Sequence, residues 1–226
     1  SDPEATFRYK AGKKNLGYVG NIVESVGEKG SLITDYGYEK NIYADHQFMR
    51  DYLEQQDTFA EGAFLVADGA YSGERNVQIA SSHNLKLVTT NFTGRKPDEI
   101  YADFKFSADG HFLLECVHGC IPEECRYDPK NECSVAYFKT EECSSCPYKD
   151  RCRPCFLKTR VRKEVSWKSV RRAKQLQFMK TEEFSQYARF RNGVEAIPSL
   201  LRRRYHVDKI PAHGKDRTRL HFGFKI

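Results

Sequence analysis

The sequence predicts an α/β fold, a mixed sheet with flanking helices interrupted by a cysteine-rich insertion, on three observations. Over the first hundred residues, β-branched and aromatic runs alternate with segments of helical periodicity. All eight cysteines fall between Cys116 and Cys155. From Glu164 to Leu201 helical periodicity returns, now rich in Arg and Lys. The expected organisation is residues 1–100 as the first part of a core, 101–160 as the insertion, and 161–226 as the C-terminal part of the core with basic helices.

Taken in order, residues 1–15 are polar and turn-rich and read as a leading loop. Leu16 to Val26 and Ser31 to Tyr38 have strand composition and are joined through Gly27 and Gly30, which predicts a hairpin. Ala44 to Gln56 predicts a helix, with Asp45 as its N-cap and Phe48, Met49, Tyr52 and Leu53 on one face. Ala63 to Val66 are apolar and run into Asp68 and Gly69, the pattern of a strand buried on both faces that ends at a sheet rim. A carboxylate at such an end meets solvent and ligands; it equally starts a turn with Gly69 and caps the next helix. Ser72 to Asn84 predicts a helix capped by Ser72, with Val77, Ile79 and Ala80 inward. Leu85 to Thr90 is a further short strand, Phe104 to Phe106 and His111 to Glu115 are two more, and the closing His221 to Ile226 reads as another.

Charge is unevenly distributed. Residues 151–226 carry 21 Lys and Arg against 6 Asp and Glu, whereas residues 1–150 carry 16 against 25. A segment that basic is the footprint of a polyanion, most simply nucleic acid. No apolar run approaches the length that spans a bilayer, so no membrane association is expected.

A second acid lies in the basic part. At about 100° per residue, Tyr187, Arg191, Glu195 and Arg202 fall within roughly 80° of one another on a helix. Gly193 weakens that helix and Pro198 kinks or restarts it before Arg202. An Arg and a Glu four apart also make an ordinary surface pair of a few tenths of a kcal/mol.

The stretch VADGAYSG at Val66 to Gly73, followed at a distance by Y-x3-R-x3-E-x6-R, resembles the DDE transposases of bacterial insertion sequences, in the branch marked by Tyr, Arg, Glu and Lys around the final acid. The opening SDPEATFRYKAG, the turn TTNFTGRKP, the cysteine run and the closing HFGFKI also match. The spacing from Tyr187 to Arg191 is one residue longer than the signature, and Arg202 stands where lysine is usual. The resemblance implies an RNase H-like fold whose three acids bind two Mg2+ ions, a bacterial cytoplasmic, nucleoid-associated protein, and a homodimer in the active complex. It implies Asp68 and Glu195 as two of the acids, with Arg191, Tyr187 and Arg202 on DNA phosphates. That fold begins with a three-stranded meander bearing the first acid. Only two strands are read before the Ala44 helix, so the first strand is expected upstream of Ser1, and the C-terminus is expected to be truncated as well.

Phosphoryl transfer between DNA strands is an in-line displacement. Two Mg2+ ions about 3.5–4 Å apart serve its attacking and leaving oxygens, and Mg2+ takes carboxylate ligands. Arg95 and Lys96, in the turn after a strand, offer cations to a phosphate backbone. The expected function is cleavage and strand transfer at transposon ends; the alternative is an inactive fragment that only binds DNA or a partner.

Cys143, Cys146, Cys152 and Cys155 form C-x2-C-x5-C-x2-C, a metal-binding pattern in a reducing compartment. Structural Zn2+ is the first assignment and an iron-sulfur cluster the second. The interval between the pairs is short, so the pairs also fit separate sites shared with Cys116 to Cys133. The insertion has too little apolar content to be expected to order without metal.

Overall fold

The computed structural model describes residues 2–226 apart from Ala11, Glu28 and Glu195, with only the backbone described for Lys10 and residues 192–194. The chain divides into two compact units, Ser1–Asn91 with Gln186–Ile226, and Phe92–Ser185. The cysteine-bearing stretch lies wholly in the second unit.

The first unit opens with an antiparallel meander of β1 (Thr6–Lys10), β2 (Lys13–Gly27) and β3 (Gly30–Lys40), in that spatial order. The leading loop expected over residues 1–15 therefore contains a strand. Thr6 to Lys10 alternates short or basic residues with aromatic ones, and Gly12, at φ 74°, supplies the left-handed residue of a tight turn into β2. Three strands, not two, precede the first helix, and β1 carries no Asp or Glu.

Helix α1 (Asp45–Gln55) buries Phe48, Met49 and Leu53. Its N-cap is Ala44, and Asp45 sits in the first turn facing Arg8, Nη2 to Oδ2 3.5 Å, instead of capping. Next come β4 (Phe64–Ala67), a 3-10 turn over Gly69–Tyr71, α2 (Glu74–Ser82) and β5 (Lys86–Thr89). Asn76 and Ala80 of α2 are buried and Ile79 packs against the core, while Val77 faces out. Gly73, not Ser72, caps α2, and the Ser72 hydroxyl donates to the Gly69 carbonyl at 2.8 Å. Strands β4 and β5 pair in parallel, Ala67 opposite Thr89, as a two-stranded sheet separate from the meander. The single mixed sheet expected from the sequence is thus divided, and β4 is half-buried with Phe64 exposed, because one face and one edge lack a neighbouring strand. Met49, Leu53, Ala80 and Leu85 form the core beneath them.

The second unit begins with a 3-10 helix, Glu99–Asp103, capped by Asp98. It continues through β6 (Lys105–Phe106), β7 (Leu113–Glu115), β8 (Glu124–Asp128), β9 (Cys133–Phe138), α3 (Thr140–Ser144), α4 (Lys149–Cys152), β10 (Cys155–Phe156), β11 (Val161–Val165) and α5 (Trp167–Phe178). Strands β10, β11, β9 and β8 make an antiparallel sheet in that order. All six residues of central β9 are buried, and Phe104, Leu113, Ala136, Phe138, Val165 and Val170 form one core. Part of that core, Val165 and Val170, comes from β11 and α5, beyond the stretch 101–160 expected as the insertion.

Helix α6 (Glu182–Val194) returns to the first unit, followed by α7 (Ala196–Tyr205) and α8 (Lys215–Gly223). The expected C-terminal strand is helical. Gly214 at φ 86° opens it, and Phe222 packs on Tyr36 and Tyr38 with ring centroids 5.8 and 5.2 Å apart. Thr218 and Phe222, four residues and one helical turn apart, are its buried face.

Candidate active site

Asp68 follows directly on β4, at the carboxyl end of a parallel strand, where side chains leave the sheet. The Asp68 Oδ1 accepts from Ala70 N at 3.4 Å, so the acid does start and cap the 3-10 turn. The same oxygen accepts from Asn91 Nδ2 at 3.3 Å. Asn91 escaped the sequence reading, yet the signal was present: in parallel register Ala67 lies opposite Thr89, so the residues just past the two strand ends are neighbours.

Helix α6 packs on the same strand. Phe64 meets Tyr187 and Phe190 edge-on, with centroids 4.8 and 5.2 Å apart. Lys86 of β5 reaches the Tyr187 hydroxyl at 3.4 Å. One turn beyond Tyr187, Arg191 Nη2 donates to Asp68 Oδ2 at 2.9 Å. The Asp68 and Arg191 side chains retain 36% and 26% of their exposure, so the pair is worth about 0–1 kcal/mol and can be exchanged for another ligand at little cost.

Tyr71, at the end of the 3-10 turn, donates its hydroxyl to Asn21 Oδ1 of β2 at 2.6 Å. Burial pushes its phenol up to about 12; Asp45 and Asp68 push the same way, while Arg8 and Arg191 oppose them. Tyr71 is therefore a neutral donor with two acids and two arginines around it. Asn76 fastens this corner: its Nδ2 donates to the Tyr71 and His46 carbonyls, each at 2.8 Å, tying α2 to the turn and to α1.

The other predicted residues are distributed as follows. Glu195 lies outside the described residues. Arg202 lies in α7, which follows the helix of Tyr187 and Arg191 across Glu195, and lines a cleft of about 690 Å³ in the first unit with Pro198, Arg8 and His213. Arg95 and Lys96 are exposed in the second unit. Arg172 holds their turn, donating to the Thr93 and Arg95 carbonyls at 2.6 and 2.9 Å with its guanidinium 4.4 Å from the Phe92 ring.

All eight cysteines are free thiols. Cys116, Cys143, Cys146 and Cys152 line one small cavity, whereas Cys155 is exposed on β10 and Cys125 meets the Ser134 hydroxyl at 3.0 Å. Burial raises the Cys143 thiol to about 11, with the neighbouring cysteines Cys116, Cys152 and Cys146 adding to it. Cys120 is raised to about 12 by burial first and then by Cys116.

Among the described residues, no three His, Cys, Asp or Glu side chains are close enough together to hold a metal ion, and no helix is long and apolar enough to cross a membrane. For Mg2+, the described donor set offers one carboxylate, Asp68, at an accessible strand end with hard oxygens, which fits that ion as a single ligand and not as a full set. No curated protein and no solved structure matches the chain. Residues 122–226, slightly under half of the chain, match the family model of the transposase DDE domain, a span that takes in Tyr187, Arg191, Glu195 and Arg202 and leaves Asp68 outside it.

Proposed function

We propose that this chain is catalytic-domain sequence of a DDE transposase, of the insertion-sequence branch with Tyr, Arg, Glu and Lys around the last acid, acting on DNA by strand cleavage and strand transfer. The observation that carries the reading is the contact between Asp68 and Arg191 at 2.9 Å. It joins the acid at the end of β4 to the helix that runs toward Glu195, bringing side chains more than a hundred residues apart to one point. The family match at residues 122–226 supports it.

Asp68 and Glu195 would hold Mg2+, which when bound would activate the attacking hydroxyl and stabilise the leaving oxygen. Asn91 and the Ala70 amide fix the orientation of the Asp68 carboxylate. Arg191 neutralises that carboxylate and turns to a DNA phosphate when the acid takes another cation. Tyr187, Arg202, Arg95 and Lys96 add phosphate contacts, and the buried thiols of the second unit form a structural metal site. DNA at transposon ends is the substrate, and the active complex is a homodimer.

The experiment is Mg2+-dependent nicking of transposon-end DNA by the protein in its complete reading frame. Asp68→Asn and Glu195→Gln are each expected to reduce nicking by at least about a hundredfold, in line with the loss of a principal electrostatic contributor. Nicking that survives both substitutions removes the site. DNA binding that persists, with strong salt dependence, in a wild-type protein that never nicks favours the second reading, a module that binds DNA without cutting it.

A further inference from the structure

Strand β11 reads Val161, Arg162, Lys163, Glu164, Val165, and its alternation turns Val161, Lys163 and Val165 inward. A lysine on the inner face of a central strand is unusual, since a buried ammonium normally has an anion beside it. Lys163 is 7% exposed, and its Nζ donates to the Tyr101 hydroxyl at 2.8 Å and to the Cys152 carbonyl. Among the described residues no carboxylate pairs with it.

Lys163 lines the same cavity as Cys116, Cys143, Cys146 and Cys152, and Lys149 joins them. Three of these thiols come from the short helices α3 and α4 and the four-residue turn between them; the fourth, Cys116, follows β7 from a distant stretch of chain. The turn after Cys116 is closed by Cys116 N donating to Cys120 O and Gly119 N to Cys116 O, both at 2.9 Å, which fixes the backbone at that sulfur. Phe104, Val117 and Phe138 complete an apolar wall around it.

We propose that Cys116, Cys143, Cys146 and Cys152 bind one Zn2+, with Lys149 and Lys163 as its counter-charges. The proposal rests on the reading of the cysteines as metal ligands and changes its ligand set, replacing exposed Cys155 by Cys116. Each thiol gives its proton to solvent and a sulfur lone pair to the metal. Four thiolates on a divalent ion leave two negative charges, which the two lysines balance. The cavity holds about 20 Å³, which exceeds the roughly 10–15 Å³ that admits one water-sized sphere, enough for a single ion among the sulfurs. The thiols ring this space without yet being drawn to ligand distance, so binding is expected to pull in α3 and α4, which are five and four residues long.

The test is zinc content by mass spectrometry and Co2+ titration of the whole chain, with Cys116→Ser, Cys155→Ser and Lys163→Met variants. One metal per chain is expected, with the intense sulfur-to-cobalt absorption of a tetrahedral thiolate site. C155S, at an exposed position, is expected to fold and keep both. C116S is expected to weaken Co2+ binding by at least tenfold, and K163M to weaken Zn2+ binding about tenfold while raising the melting temperature of the metal-free protein. Metal lost from C155S and retained by C116S overturns the ligand set alone. Iron with broad visible absorption overturns the choice of ion. A wild-type protein that binds no metal overturns the proposal together with the cysteine reading on which it rests, and leaves the transposase reading untouched.

Discussion

Asp68 and Arg191 form the contact on which the candidate site depends, yet as a half-exposed pair it adds little to stability. Arg191→Ala is therefore expected to change the free energy of unfolding in urea by less than about 1 kcal/mol. Its nicking rate is expected to fall at least about tenfold, with Arg191→Lys restoring part of it. A large loss of stability with unchanged nicking would make Arg191 a structural residue. A second residue-scale effect is pH dependence in the second unit. Arg151 donates to both oxygens of Asp98, at 2.5 and 3.2 Å, and this bonding, more than the Ile100 amide, lowers the Asp98 carboxyl below its usual range. Because the folded value is the lower one, the stabilisation is fully present above the ordinary value of about 3.9 and is lost as pH falls through the depressed one. Stability against urea is thus expected to decline below about pH 4, and Asp98→Asn to flatten that part of the profile. Asp68 was legible because an apolar run ended in it; Asn91 and Lys163 were not, since their meaning comes from a neighbouring strand and from a cavity.

Elements depend on close backbone approach as much as on apolar faces. A methyl at Gly37 of β3 would stand 2.6 Å from the Phe48 ring of α1, and one at Gly20 of β2 would stand 2.8 Å from Phe222 of α8. Gly37→Ala is expected to cost about 1–3 kcal/mol by overpacking, and Phe48→Leu in the same chain to recover part of it. Additive losses in that double-mutant cycle would mean that the helix does not press on the strand. The hairpin of β2 and β3, the helices α1 and α2, and the strands β4 and β5 were all readable from period and turn residues. Strand β1 was missed because its alternation is of basic and aromatic residues, and α8 because its last residues were read without Thr218, one turn before Phe222, in a stretch too short to fix the period.

At the scale of the whole molecule, each unit has a buried apolar cluster among its described residues. Leu53, fully buried, belongs to one, and Phe138 to the other. Leu53→Ala is expected to cost about 2–5 kcal/mol and Phe138→Ala about 3–5, each by cavity formation. Hydrogen exchange should accelerate in residues 1–91 and 186–226 for the first substitution and in 92–185 for the second; uniform acceleration in both would mean one cooperative unit. By itself the sequence determined the α/β composition, the order of most elements, the acid at the end of β4, and the basic charge of the last third, because periodicity, turn chemistry and charge are local properties. Only the tertiary structure decided that the sheet is divided, that Arg191 reaches Asp68, and that Cys116 rather than Cys155 shares a cavity with the other three thiols. Each of these is a pairing between residues far apart in the chain, fixed by strand register and by which faces pack, and no spacing within a short stretch encodes it.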